Sequence, residues 1–88
     1  MADRNLLERE FMHEFIAYLI KNLVDQPESV DVKVTEAEEG MLVEVTVSAA
    51  DVAKVVGRQG RTIKSLRTLA MIIGARFGRR VRLELLNS

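Results

Sequence analysis

The stretch Val55-Val56-Gly57-Arg58-Gln59-Gly60-Arg61-Thr62-Ile63 constrains the chain most. Gly57 follows an apolar pair at the point where a helix needs a residue tolerant of positive φ in order to stop. Gly60 stands just before a new helical period begins. Two glycines at this spacing take the Cβ atoms away from both corners of the turn, so a second backbone can come close. The turn feeds a helix N-terminus, whose free N–H groups and positive dipole end favour an anion. Arg58, Gln59 and Arg61 add donors suited to phosphate oxygens. The spacing therefore predicts a clamp for a phosphate backbone.

The remaining elements can be read in order. Asn5 and Glu8 predict an N-cap with a carboxylate at the third helical position. Leu7, Phe11, Phe15 and Met12, Ile16, Leu19, Ile20, Leu23 then recur at helical spacing, predicting a helix over about 5–25 that stops before Pro27. Glu8, Glu10 and Glu14 are expected on its acidic outer surface. Val30, Val32 and Val34 alternate with polar residues, as do Met41, Val43, Val45 and Val47. Two strands joined at Glu38-Glu39-Gly40 form a hairpin with one apolar face, so helices are expected on one side only. Ser48 and Asp51 read as a capping box opening a short helix to about Val56. A second helix is expected from the turn to about Phe77, with Ile63, Leu66, Leu69, Ala70, Ile73 and Phe77 inward and Arg61, Lys64 and Arg67 opposite. Gly74 and Gly78 are expected to loosen or end it. Val81, Leu83 and Leu85 alternate in a last strand. The class is α+β, in the order α-β-β-α-α-β.

Charge separates along the chain although the net is zero. Residues 1–49 carry four Lys/Arg against eleven Asp/Glu, a balance of −7, and residues 50–88 carry nine against two, a balance of +7. The basic half contains the glycine turn, which fits an anionic partner, although the two halves could also simply face each other. With 88 residues the chain reads as one small domain, and its 48% hydrophobic content suits a folded chain. The absence of cysteine removes disulfides, thiolate metal sites and Cys nucleophiles. No run approaches the ~20 apolar residues of a membrane span, and the charged N-terminus does not resemble a secretory signal. A cytoplasmic protein with no membrane partner is expected.

The nine residues 55–63, two aliphatics, Gly-x-x-Gly, two further residues and Ile, resemble the signature of K-homology (KH) RNA-binding domains. The element order is similar to the bacterial-type (type II) KH fold, so the resemblance covers nearly the whole chain. It implies a single KH domain over 1–88. The core with the turn falls at about 40–86, and the additional helix and strand at about 5–37. It also implies a groove for about four nucleotides of single-stranded RNA. Gly57, Arg58, Gln59 and Gly60 would hold the sugar–phosphate backbone, and Arg61 and Lys64 would add phosphate contacts. Val52, Val55 and Val56 would floor the groove, with Ile63 favoured for the core. The resemblance leaves open which strand edge faces the bases.

A chain that is a KH domain and little else resembles the stand-alone bacterial KhpA (YlqC) family. That resemblance implies an RNA chaperone or post-transcriptional regulator, a homodimer, and a heterodimer with a larger KhpB (Jag/EloR)-type KH protein. It also implies a link to cell elongation, division and peptidoglycan homeostasis.

An enzyme is hard to build from these residues, and no cofactor or metal is expected. His13 is the only histidine and stands among carboxylates on the first helix. Glu36, Glu38 and Glu39 read as a solvated strand end and turn, and Asp51 as a cap. No Gly-Lys-Ser/Thr follows the turn as a Walker A loop would require. One Tyr, three Phe and no Trp leave little for base stacking, against an aromatic sheet platform. Two alternatives remain. One is a dimerisation or docking module with weak RNA binding. The other is a helix–turn–helix reader of duplex DNA, which the strands and the double glycine count against.

Overall fold

The computed structural model describes residues 3–88. Its order is α1 (Arg4–Lys21), β1 (Asp31–Ala37), β2 (Gly40–Thr46), α2 (Val52–Val56), α3 (Arg61–Arg76) and β3 (Arg80–Leu85). Single 3-10 turns precede β1, α2 and α3. This is the expected α-β-β-α-α-β order of a KH fold. The sheet runs β1-β2-β3, with β2 antiparallel to β1 and parallel to β3. Glu38 and Glu39 make the two-residue hairpin turn between the paired Ala37 and Gly40.

Alternation fixes which face of the sheet is covered. Val32, Met41, Val43, Val45, Val47, Leu83 and Leu85 are buried, together with Met12, Ile16 and Ile20 of α1 and Ile63, Leu66 and Ala70 of α3. Each fully buried aliphatic of this kind contributes about 1.5–3 kcal/mol. Val81, at the start of β3, is only half-buried, whereas Leu83 and Leu85 farther along the strand are covered.

Several local expectations change. The N-cap of α1 is Asp3, whose carboxylate accepts from the Asn5 N–H, rather than Asn5 itself. Only one stripe of α1 is covered: Leu7 and Phe11 stay about half exposed, and Leu23 falls beyond the helix end. Glu8 is not on the outer surface. It is buried, and binds Arg4 and Arg79. Glu36 is likewise no free strand end, being paired with Arg79 and approached by Arg9 Nε to 3.0 Å, out of line for a hydrogen bond. Gly74 does not loosen α3. A Cβ there would lie 2.2 Å from Val81 Cγ2, so the glycine lets the helix sit close on β3.

Asp51 is the largest correction. Ser48 makes no side-chain cap, and Asp51 does not complete a capping box. Its carboxylate is 1% exposed and accepts the backbone N–H groups of Asp25 and Gln26 at 3.1 and 3.0 Å. Those two N–H groups are then unavailable to extend α1, which ends four residues earlier than its periodicity suggests. Asn22 closes it by donating from Nδ2 to the Tyr18 carbonyl at 2.7 Å. Asp51→Ala would take the acceptor away from both N–H groups. The expected loss is about 2 kcal/mol in a urea melt, and a loss below about 0.5 kcal/mol would show that water replaces the carboxylate without penalty.

Candidate nucleic-acid interface

The turn forms because α2 is stopped abruptly. The Gly57 N–H bonds the Ala53 carbonyl at 2.9 Å, and the chain leaves with φ 78 and ψ 173 at Gly57. Gln59 and Gly60 follow with φ 58 and φ 73. The Gly60 N–H closes on the Gly57 carbonyl at 3.1 Å. Three positive-φ residues in four give a tight corner that throws Arg58 and Gln59 outward, and both are exposed. A left-handed Gln59 was not expected from sequence, since only Asn, Asp and Gly visit that region readily.

Gly60 caps α3 without a side chain, so no side-chain oxygen competes for the first-turn N–H groups. A Cβ at Gly60 would meet no heavy atom within 4 Å, so this corner is open. A Cβ at Gly57 would lie 2.2 Å from Thr62 Oγ1, so this corner is filled from inside by the start of α3. Of the two glycines, Gly60 is therefore the one that leaves room for an approaching backbone. Arg61 Nη2 donates to Gln59 Oε1 at 2.8 Å, tying the first helical residue back to the turn. A shallow depression beside the turn is lined by Arg61, Lys64, Ser65, Thr68 and Leu69.

The aliphatic candidates separate. Val55 is 0% exposed and belongs to the core, so it cannot offer surface to a ligand. Ile63 is also buried, as favoured. Val52 and Val56 pack on the core while staying half-buried, and they are what α2 can present.

Electrostatics divide the basic half in two. Lys54, Arg79 and Arg80 are absorbed by ion pairs to Asp25, to Glu8 and Glu36, and to Glu39, all from the acidic half. Part of the charge asymmetry is thus internal to the fold. Arg58, Arg61, Lys64 and Arg67 make no ion pair among the described residues, and they cluster on the turn and the first half of α3. Arg67 was passed over as a site residue. Its Nε donates to the Leu83 carbonyl of β3 at 3.1 Å, a contact that helix periodicity cannot show.

The family model for the KhpA/KhpB KH domain matches residues 13–85. The chain belongs to the KhpA/KhpB KH-domain family. It is 43% identical over 75 residues to the RNA-binding protein KhpA of Chlamydia trachomatis, covering 85% of this chain and 96% of that one. The KhpA of Borreliella burgdorferi is 40% identical over 74 residues, covering 84% and 90%. That of Listeria monocytogenes is 36% identical over 75 residues, covering 85% and 99%. Among solved structures, Aquifex aeolicus Era bound to GDP and aluminium fluoride aligns with a TM-score of 0.64 at 24% identity. The alignment covers 88% of this chain and 30% of Era, and it shows a shared fold.

Among the described residues, no helix is long and apolar enough to cross a membrane. Among the described residues, no group of three or more His, Asp or Glu is placed to hold a metal ion.

Proposed function

We propose that this protein is a non-catalytic binder of single-stranded RNA that grips the sugar–phosphate backbone at Gly57–Gly60. The observation that carries the reading is the cluster of Arg58, Arg61 and Lys64, without ion-pair partners among the described residues, around an outward turn with an open corner at Gly60. Relatives named as RNA-binding proteins support it. Backbone phosphates lie against the turn and the uncapped start of α3, with bases over the half-buried faces of Val52 and Val56. The functional unit is the KH domain spanning 1–88, acting in the cytoplasm without cofactor or metal. Its role is that of an RNA chaperone or post-transcriptional regulator, as a homodimer or beside a KhpB-type partner, through which it would bear on cell elongation, division and peptidoglycan homeostasis.

The test is a fluorescence anisotropy titration with a short single-stranded RNA. Arg58→Asp/Gln59→Asp places two carboxylates where phosphates would sit, on exposed positions whose loss leaves the core intact. An affinity loss of at least about thirtyfold is expected, with the thermal midpoint within about 3 °C of wild type. The salt dependence should be shallow, since each neutralised phosphate contributes a slope of about −0.7 for a single strand. Equal binding by both proteins would refute the clamp.

A second reading is favoured by one observation. Leu7, Phe11 and Tyr18 of α1 and Leu69 and Ile72 of α3 are exposed, with Phe11 edge-on to Phe77 at 6.0 Å. Such apolar surface suits a dimerisation or docking module. A chain that self-associates tightly yet never saturates with RNA would favour that reading over the first.

A further inference from the structure

Strand β1 is an edge of the sheet. On β2 the Val45 carbonyl accepts the Leu86 N–H at 2.8 Å, so odd-numbered residues of β2 direct their backbone groups to β3 and even-numbered ones to β1. Through the pairs Lys33 with Glu44 and Thr35 with Leu42, it is the odd-numbered residues of β1 that bond β2. The N–H and C=O groups of Val32, Val34 and Glu36 therefore point away from the sheet. Among the described residues, no turn, loop or side chain bonds them. The strand runs for seven residues without a proline and without a bulge in its register, two devices that usually blunt an edge.

Helix α1 packs over β1, and one of its flanks borders this edge. A groove there is lined by Leu6, Arg9, Glu10, His13 and Glu14 of α1 and by Val34. Val34 is half-buried and Leu6 is exposed, so both offer apolar surface. Arg9 Nε lies 3.0 Å from Glu36, which balances its charge. Glu10 and Glu14 are exposed and make no ion pair among the described residues, and the same holds for Glu28 and Asp31 near the start of the strand, with Lys33 the unpaired cation beside them.

This balance selects the occupant. An acidic rim repels nucleic acid. Pairing with β1 of a second copy would set two identical acidic flanks side by side, which disfavours it. We propose that the open edge of β1 takes an extended, lysine- or arginine-bearing segment of another protein as a fourth strand, antiparallel to β1. Main-chain bonds to Val32, Val34 and Glu36 hold the segment, and alternate side chains enter the groove. An aliphatic one lies opposite Val34, and basic ones two residues to either side reach Glu10 and Glu14. Helix α3 packs over β3, at the other edge of the sheet, so the site does not depend on the glycine turn.

The probe is a fluorescent heptapeptide, Thr-Lys-Thr-Val-Thr-Lys-Thr, titrated with the full chain and followed by anisotropy. Wild type is expected to saturate below about 1 mM. Changing both lysines of the peptide to glutamate should weaken binding at least about tenfold, as should Glu10→Lys/Glu14→Lys in the protein. In an antiparallel strand the N–H of the central valine points to β1 and those of its two threonine neighbours point away. N-methylation of the valine should therefore abolish binding, and N-methylation of a neighbouring threonine should change it about twofold or less. Hydrogen exchange at the Val34 N–H should slow in the complex. The peptide series is read on wild type, so the test stands even if the double variant does not fold. No saturation, or equal loss from the two N-methylations, overturns strand addition. Self-association that Glu10→Lys/Glu14→Lys strengthens would put a second copy on this edge and overturn the choice of occupant.

Discussion

Gly57→Ala is expected to cost about 4 kcal/mol of folding stability, and Gly60→Ala only about 1 kcal/mol, although both glycines have positive φ. Gly57 has φ 78 and ψ 173, a region open in practice only to glycine, and entering it costs a side-chain residue about 1–3 kcal/mol. Its Cβ would also lie 2.2 Å from Thr62 Oγ1, 2.6 Å from Thr62 Cβ and 2.9 Å from the Thr62 backbone nitrogen. The hydroxyl can rotate away, but the backbone nitrogen cannot move without shifting the first turn of α3, an overpacking cost of about 1–3 kcal/mol more. Gly60 has φ 73 and ψ 15, the ordinary left-handed well, with open space where the Cβ would go. An 88-residue chain has about 4–13 kcal/mol of total stability, so Gly57→Ala should leave a large unfolded population at room temperature. Urea melts of the two variants decide the matter, and equal midpoints would mean that Thr62 does not pack against the turn. Gly60→Ala adds a second reading: a folded variant that nonetheless loses RNA affinity marks the open corner as the place where the strand passes.

This difference between the two glycines shows what the amino-acid order can and cannot disclose. The turn, the hairpin and the buried arc of α3 were legible because each is a local pattern: two glycines three apart, alternation on either side of Glu38-Glu39, and Ile63, Leu66 and Ala70 at helical spacing. The positive φ of Gly57 was readable for the same reason. Which glycine is packed and which is open was not, because that depends on where Thr62 points. The other omissions share this cause. Asp51 looked like a local cap because Ser48 stands three residues before it, whereas its hydrogen-bond partners lie at Asp25 and Gln26. Arg67 looked like one more solvent-facing cation, whereas its partner is the Leu83 carbonyl on an edge strand. Leu7 and Phe11 share the apolar period of α1 yet stay exposed, because spacing gives a period while the width of the covered arc depends on what packs against it.

Arg79→Met is expected to cost about 3 kcal/mol, because it removes the one group that holds three others. Arg79 Nη1 donates to Glu8 at 3.3 Å, and Nη2 donates to Glu36 and, at 3.1 Å, to the carbonyl of Gly40 at the start of β2. The bond to Glu36, more than offsetting burial, raises the Arg79 guanidinium above its usual value, with Glu8 adding to it, so the charge persists at every pH where the protein folds. The side chains of Arg79 and Glu8 are 13% and 8% exposed, too little for water to replace either partner fully. Without Arg79, Glu8 keeps only Arg4, whose side chain is 82% exposed and gains little from holding one geometry. Glu36, 39% exposed, can turn to water and to Arg9, so most of the loss falls on Glu8 and the Gly40 carbonyl. It follows that adding Glu8→Leu to Arg79→Met should restore about 1–2 kcal/mol, since the unpaired carboxylate goes and an apolar side chain takes its place beside Phe11 and Phe77. A double-mutant cycle by urea denaturation measures this coupling. A coupling below about 0.5 kcal/mol would make the network an ordinary surface ion pair. The sheet would then be held at this end by its core packing alone.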